Sequence, residues 1–369
     1  MGQVSHIHAS EARSRYAGWV RLGVTLLSLG LGPAVAAESE VIPRGTSGAD
    51  AALLFDSDEV LEVRLYGPIE KLLEDTSKRQ RRFEISAENV QQPVGVKTGG
   101  RSRLRVCDFP PLRLDFTAIT DSPSPHPDSI FRGNEFLYVT TQCNFNTRSR
   151  ADLIEEYLAY RILNLITEFS YRVRLIKVNY IDSRRDGKSI THYAFLTESQ
   201  YVLARRMGAE VLEVEHILKR LLNEDHAALI YVFQYLIANT DWSLVTAKGD
   251  EACCHNGQLI DRDSQIFYVP FDFDLSGLVN PRYAYPDSSL PIQRVTQRLY
   301  RGYCGPEDAL SRALEHVLAQ REAIIELYSQ ALVLSRDERD SGIDFLERFF
   351  AEAGDPERLL TKFQRKCLD

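Results

Sequence analysis

The spacing of apolar side chains changes along the chain from a period of two to a period of about 3.6, the change from strand to helix. Leu61-Glu62-Val63-Arg64-Leu65 alternates apolar and charged residues, as a strand with one buried face does. Val94-Gly95-Val96-Lys97 and Leu112-Arg113-Leu114-Asp115-Phe116 predict further strands, with a glycine-containing turn at 98–103 between them. From Ala151 to Ile166 the apolar residues recur at helical spacing. Strands are expected again at 173–181 and 191–196, joined by a turn at 182–187. Helices are expected over 211–223 and 224–238, followed by an irregular stretch over 239–264. A strand over Gln265–Asp274 and helices at 309–333 and 343–350 complete the pattern. The basic segment Lys78–Arg82 reads as solvated surface, and 121–129 as a surface loop. Strands lead and helices follow, an α+β order with a strand-rich N-terminal lobe (59–200) and a mainly helical C-terminal lobe (201–369).

The opening segment follows another rule. Arg13, Arg15 and Arg21 precede an apolar run over Val24–Leu31, then Gly32-Pro33 and the small residues Ala34-Val35-Ala36-Ala37. This is the layout of a cleavable signal peptide over 1–37, with a polar lead-in at 38–58. The apolar run is shorter than the roughly 20 residues a membrane-spanning helix needs, and no later stretch reaches that length. The chain is therefore expected to be exported, to the periplasm or beyond the cell. All six cysteines lie after the signal; an even count in an exported chain favours disulfides, whose pairing the spacing does not reveal. A net charge of −8 argues against a general nucleic-acid binder.

Chemistry concentrates in two clusters, Asn239-Thr240-Asp241-Trp242-Ser243 and Val269–Gly277, with His255-Asn256 between them. On a strand Asp272 and Asp274 share a face, where two carboxylates beside apolar neighbours require a cation. No Lys or Arg lies between Gln265 and Gly277, so a hard divalent ion, Mg²⁺ or Mn²⁺, is the expected partner. Asn256 can add an amide oxygen, and Asp241 can orient or deprotonate a hydroxyl. His255 and Trp242 read as structural. An acid after a long helix, then an amide, then paired acids is the order of a protein-kinase catalytic half. Upstream, Gly100 and Ser102 would offer backbone N–H groups to phosphates, Arg113 would reach an α- or β-phosphate, and Glu155 or Glu156 would hold it.

These pieces resemble the spore-coat protein H (CotH) kinase-like family. The resemblance runs over roughly 95–280, through Gly100-Arg101-Ser102-Arg103, Phe109–Phe116, Phe195-Leu196-Thr197-Glu198, Asp241-Trp242 and Phe271-Asp272-Phe273-Asp274. It implies a two-lobed atypical protein-kinase-like fold and transfer of phosphate from ATP to protein hydroxyls with a divalent metal. Asp241 would then be the catalytic acid, and Asn256, Asp272 and Asp274 the metal ligands. Gly100, Ser102, Arg103, Arg113, Glu155 and Glu198 would form the nucleotide-binding half. The expected partners are a nucleotide and an exported protein substrate. The alternative is a non-catalytic metal- or nucleotide-binding protein, or a structural protein of the envelope.

Overall fold

Alternation in β1 (Leu61–Gly67) buries Leu61, Val63 and Leu65 and leaves Glu62, Arg64 and Tyr66 outside. Helix α1 (Ile69–Leu73) leads to β2 (Arg81–Ala87), which pairs antiparallel with β1 and with β3 (Val90–Thr98). The four-residue helix α2 (Arg103–Val106) precedes β4 (Leu112–Asp115), and β3, β4 and β5 (Phe136–Thr141) continue the antiparallel sheet. Helix α3 (Thr147–Ile166) separates β5 from β6 (Val173–Asp182) and β7 (Ser189–Thr197). β5 pairs with β7, β7 with β6, and β6 returns parallel to β1. The sheet closes as a seven-stranded mixed barrel, ordered β1-β2-β3-β4-β5-β7-β6. Side chains such as Leu65, Ile85, Leu114, Val178 and Leu196 fill its interior and leave a void of about 10 Å³.

The computed structural model describes residues 53–368, apart from 101, 118–124, 186 and 247–252. The expected signal peptide and the lead-in before residue 53 lie outside the described residues. All described residues belong to one unit, Gly45–Asp369.

Beyond the barrel come α4 (Gln200–Arg206), β8 (Glu210–Leu212), α5 (Glu224–Leu236), β9 (Gly257–Arg262) and β10 (Gln265–Pro270). β8, β9 and β10 form an antiparallel three-stranded sheet. Asp263 and Ser264 both have positive φ, which suits the two-residue turn joining β9 to β10. Helices α6 (Glu307–Ala319), α7 (Arg321–Ser329), α8 (Arg336–Glu352) and α9 (Pro356–Gln364) follow a long irregular segment. α3, capped by Asn146 accepting from the Ser149 N–H at 2.9 Å, contributes its apolar residues to a second core. That core also takes in α5, β9, β10 and the last four helices.

The expected two-lobed kinase-like fold with a helical C-terminal lobe does not form. A closed barrel replaces the strand-rich kinase-like lobe, because the parallel β1–β6 ladder joins the sheet's two edges. A three-stranded sheet stands within the part expected to be mainly helical, where a single strand over 265–274 was expected. The helix expected at 211–223 is instead β8 and a 3-10 turn at Lys219–Leu221, and Asn223 caps the start of α5. The strand expected to run to Asp274 stops at Pro270, where proline cannot extend the ladder. The segment Lys78–Arg82 is exposed or half-buried as expected, and its last two residues begin β2.

The disulfide expectation holds: Cys107 pairs with Cys143 and Cys304 with Cys367, and the adjacent Cys253 and Cys254 are also bonded. Such bonds persist in oxidising compartments. Among the described residues no helix is long and apolar enough to cross a membrane.

His226, in the first turn of α5, places its ring near Phe169 and Phe267 and its Nε2 2.9 Å from the Tyr268 carbonyl. Burial lowers its pKa from 6.5 to about 4. Between those values the unfolded chain takes up a proton that the native state refuses, so stability falls as pH drops through that window. His226→Gln should flatten the stability–pH curve there by on the order of 3 kcal/mol. Urea unfolding across the window checks this; an unchanged slope would contradict it.

Candidate functional site

Three distant segments meet around one guanidinium. Arg103, the first residue of α2, donates from Nη2 to Glu156 on α3 at 2.8 Å and to Asp272 at 3.1 Å. Its Nε donates to Asp274 at 2.9 Å. Arg103, Glu156 and Asp274 are buried, while the Asp272 side chain keeps 47% of its surface open. The Tyr283 hydroxyl donates to Asp274 at 3.0 Å. The Asp272 N–H, released from any strand ladder by a φ of 60°, donates to the Tyr160 hydroxyl at 2.8 Å.

The expected pairing of Asp272 and Asp274 therefore occurs without strand alternation. Their cation arrives from about 170 residues upstream, out of reach of any local reading of 265–277. Desolvation opposes the Arg103 charge, but Asp274, Glu156 and Asp272 outweigh it and hold the guanidinium protonated. One positive charge cannot balance three acids. Burial raises Glu156, against the pull of Arg103, and burial with the neighbouring Asp274 charge raises Asp272. Openness to the cleft keeps Asp272 partly hydrated, yet the acidic neighbour pushes it in the same upward direction.

This cluster stands at one side of a cleft of about 470 Å³. Lys97 on β3 and Arg113 on β4 are directly opposed across their ladder, and both line the cleft. Like charges so placed repel, although Arg113 also stacks over the Phe136 ring at 3.8 Å and approaches Asp115 at 3.6 Å. Gly99, Gly100 and Ser102 lie along the rim, and Gly100 takes a φ of 74° that suits glycine. Tyr138, Tyr171 and Phe271 supply aromatic surface. The volume and mixed lining suit a small ligand.

Beside the cleft, a turn after α5 holds Asp241. Its N–H donates to Asn239 Oδ1 at 2.9 Å, and its Oδ1 lies 3.0 Å from His255 Nε2. Asn256 Nδ2 donates to the Asp241 carbonyl at 2.7 Å and to its Oδ2 at 3.0 Å. The Asn256 carbonyl accepts the Phe271 N–H at 2.9 Å, which ties this group to the residue before Asp272. Asp241 also acts on Asp272 electrostatically. Tyr268 supports the whole from below, its hydroxyl donating to the His255 carbonyl at 2.9 Å and the Asn256 carbonyl at 3.0 Å. Gly257 leaves space for that ring: a Cβ there would come within 2.0 Å of it.

Of the residues named from sequence, Gly100, Ser102, Arg103, Arg113 and Asp272 line the cleft. Asn256 and Asp274 are hydrogen-bonded to two residues of that lining, Phe271 and Arg103, and Asp241 is hydrogen-bonded to Asn256. Glu155 and Glu198 do not join them. Glu155 pairs with Arg148 at 3.3 Å, and burial raises its carboxyl to about 8. The helix turns Glu156, one residue on, toward Arg103 instead. Glu198 is fully buried, accepting from the Arg172 N–H at 2.9 Å and from Arg206 at 2.7 Å. Sequence reasoning missed Lys97, Tyr160 and Tyr283; the charged end of an apolar strand was the one available signal for Lys97. His255, read as structural, orients Asp241.

Among the described residues no group of three or more His, Cys, Asp or Glu side chains is arranged to hold a metal ion by itself. No protein-family profile and no curated protein matches the chain.

Arg103→Met should lower stability by about 3 kcal/mol, since it strands buried carboxylates. Glu156→Gln removes surplus acid and should cost no more than about 1 kcal/mol. Urea denaturation of both variants at neutral pH distinguishes them. Equal losses would show that all three acids are ionised and needed.

Proposed function

We propose that the chain binds a nucleoside triphosphate, ATP, in this cleft together with a divalent cation and transfers the terminal phosphate to a hydroxyl acceptor. The observation that carries the reading is that basic and acidic side chains line one cleft. Lys97 and Arg113 stand on the barrel side, while Glu156 and Asp272 form an acid-rich wall with only Arg103 to balance them and Asp274. A polyphosphate relieves the Lys97–Arg113 repulsion. A divalent cation offsets the surplus acid.

The donors fit a hard cation. Asp272 offers a carboxylate half open to the cleft, Asp274 beside it is held by Arg103 and Tyr283, and the Asn256 amide is turned to Asp241. Mg²⁺ is commonly held by one or two carboxylates plus substrate phosphates, without a complete protein cage. When bound, Mg²⁺ or Mn²⁺ would neutralise charge developing on the phosphate oxygens. Asp241, fixed by Asn239, His255 and Asn256, would orient the acceptor hydroxyl and take its proton. Gly100 and Ser102 would offer backbone N–H groups at the rim. The resemblance to the CotH kinase-like family supports this activity and an exported protein as acceptor; the disulfides and the expected signal peptide support export.

A second reading has one observation in its favour. Arg103 already supplies a cation to both aspartates, as a site that binds without catalysing would allow.

Isothermal titration of ATP with and without Mg²⁺ tests binding. Affinity should depend on the metal and vanish in Asp272→Asn/Asp274→Asn. Asp241→Asn should keep binding but lower phosphate transfer about 10²- to 10⁴-fold. Binding without transfer by the unmodified protein would select the second reading. Absence of binding under every condition would overturn both.

A further inference from the structure

Helix α2 carries Arg103 into the cleft, yet it has little to hold it there. It is four residues long, has no side-chain cap, and buries only Arg103. So short a helix gains almost nothing from its own hydrogen bonds. On its N-terminal side the chain passes through Gly99-Gly100, with Gly100 at a φ of 74°. On its C-terminal side the next residue is Cys107, which is bonded to Cys143. Cys143 lies just before α3, the helix that presents Glu156 to Arg103. The Phe109 N–H donates to the Cys143 carbonyl at 3.0 Å and continues the same attachment. The disulfide thus joins the segment bearing the guanidinium to the segment leading into the helix that bears its partner.

We propose that Cys107 and Cys143 are positioning residues for the nucleotide site, their disulfide holding Arg103 against Glu156, Asp272 and Asp274. This inference rests on the reading of the cleft as a nucleotide site. With the bond intact, thermal motion of α2 is restrained at both ends: by ion pairs at Arg103 and by a covalent link at Cys107. With it broken, the ion pairs and the Phe109–Cys143 hydrogen bond must hold a short helix that follows a glycine hinge. Arg103 then leaves its partners more often, and the rim residues Gly100 and Ser102 move with it.

The test uses the full chain as Cys107→Ser/Cys143→Ser, with Cys304→Ser/Cys367→Ser as a control that also loses one disulfide. Phenylglyoxal labelling, read by mass spectrometry, reports how often each arginine is exposed; Arg336, with 86% of its side chain exposed, is the internal standard. Labelling of Arg103 should rise about tenfold in the first variant and stay at the native rate in the control. The KM for ATP should rise in the first variant more than kcat falls. If circular dichroism shows that this variant does not fold, the native protein reduced by a phosphine without denaturant and then alkylated replaces it. Unchanged Arg103 labelling, or equal labelling in both variants, overturns the proposal, as does faster labelling with an unaltered KM. Faster labelling in a protein that binds no ATP even with its disulfides intact supports the tether and counts against the nucleotide reading.

Discussion

One guanidinium facing three carboxylates is the constraint on which the cleft depends. Arg103 meets Glu156, Asp272 and Asp274 across sequence separations of 53, 169 and 171 residues. The four groups come from three parts of the fold: the connection between β3 and β4, helix α3, and the segment after β10. Removing water from these groups is costly, and the cluster persists only because each charge has a directional partner. The arrangement therefore specifies how the barrel meets the rest of the chain. It also leaves more acid than base, and the Glu156 and Asp272 carboxyls are raised in consequence.

Other features serve this geometry. Barrel closure pairs β1 with β6, and the β3–β4 ladder sets Lys97 directly opposite Arg113. β10 stops at Pro270, and the left-handed turn at Asp272 directs its N–H to Tyr160 rather than to a strand. The β9–β10 hairpin brings Asn256 back to Asp241, and the Tyr268 hydroxyl braces both Asn256 and His255. Gly257 is the position that lets Tyr268 lie so close.

Local periodicity made many of these elements legible: β1, β3, β4, α3, β6 and β7 all announce themselves by alternation or helical spacing. Closure did not, because the parallel β1–β6 contact joins residues more than a hundred positions apart, and the expected kinase-like lobe was wrong for that reason. β5 begins within a loop-rich region and gave little pattern. In the site, Asp241, Asn256, Asp272 and Asp274 were visible as residue types that seldom cluster without cause. The identity of their cation was not, since only the fold brings Arg103 to them. Choosing Glu155 over Glu156 was a matter of helical phase, which a one-residue uncertainty in spacing is enough to reverse. Glu198 stood next to the right strand but faces Arg206 in the interior.

The most direct test of this account is a crystal structure with a non-hydrolysable ATP analogue and Mn²⁺, the metal located by its anomalous scattering. The account predicts Mn²⁺ coordinated by Asp272, the phosphate chain beside Lys97 and Arg113, and Arg103 still engaged with Glu156. An analogue bound elsewhere, or a cleft without analogue or metal at saturating concentrations, would contradict it.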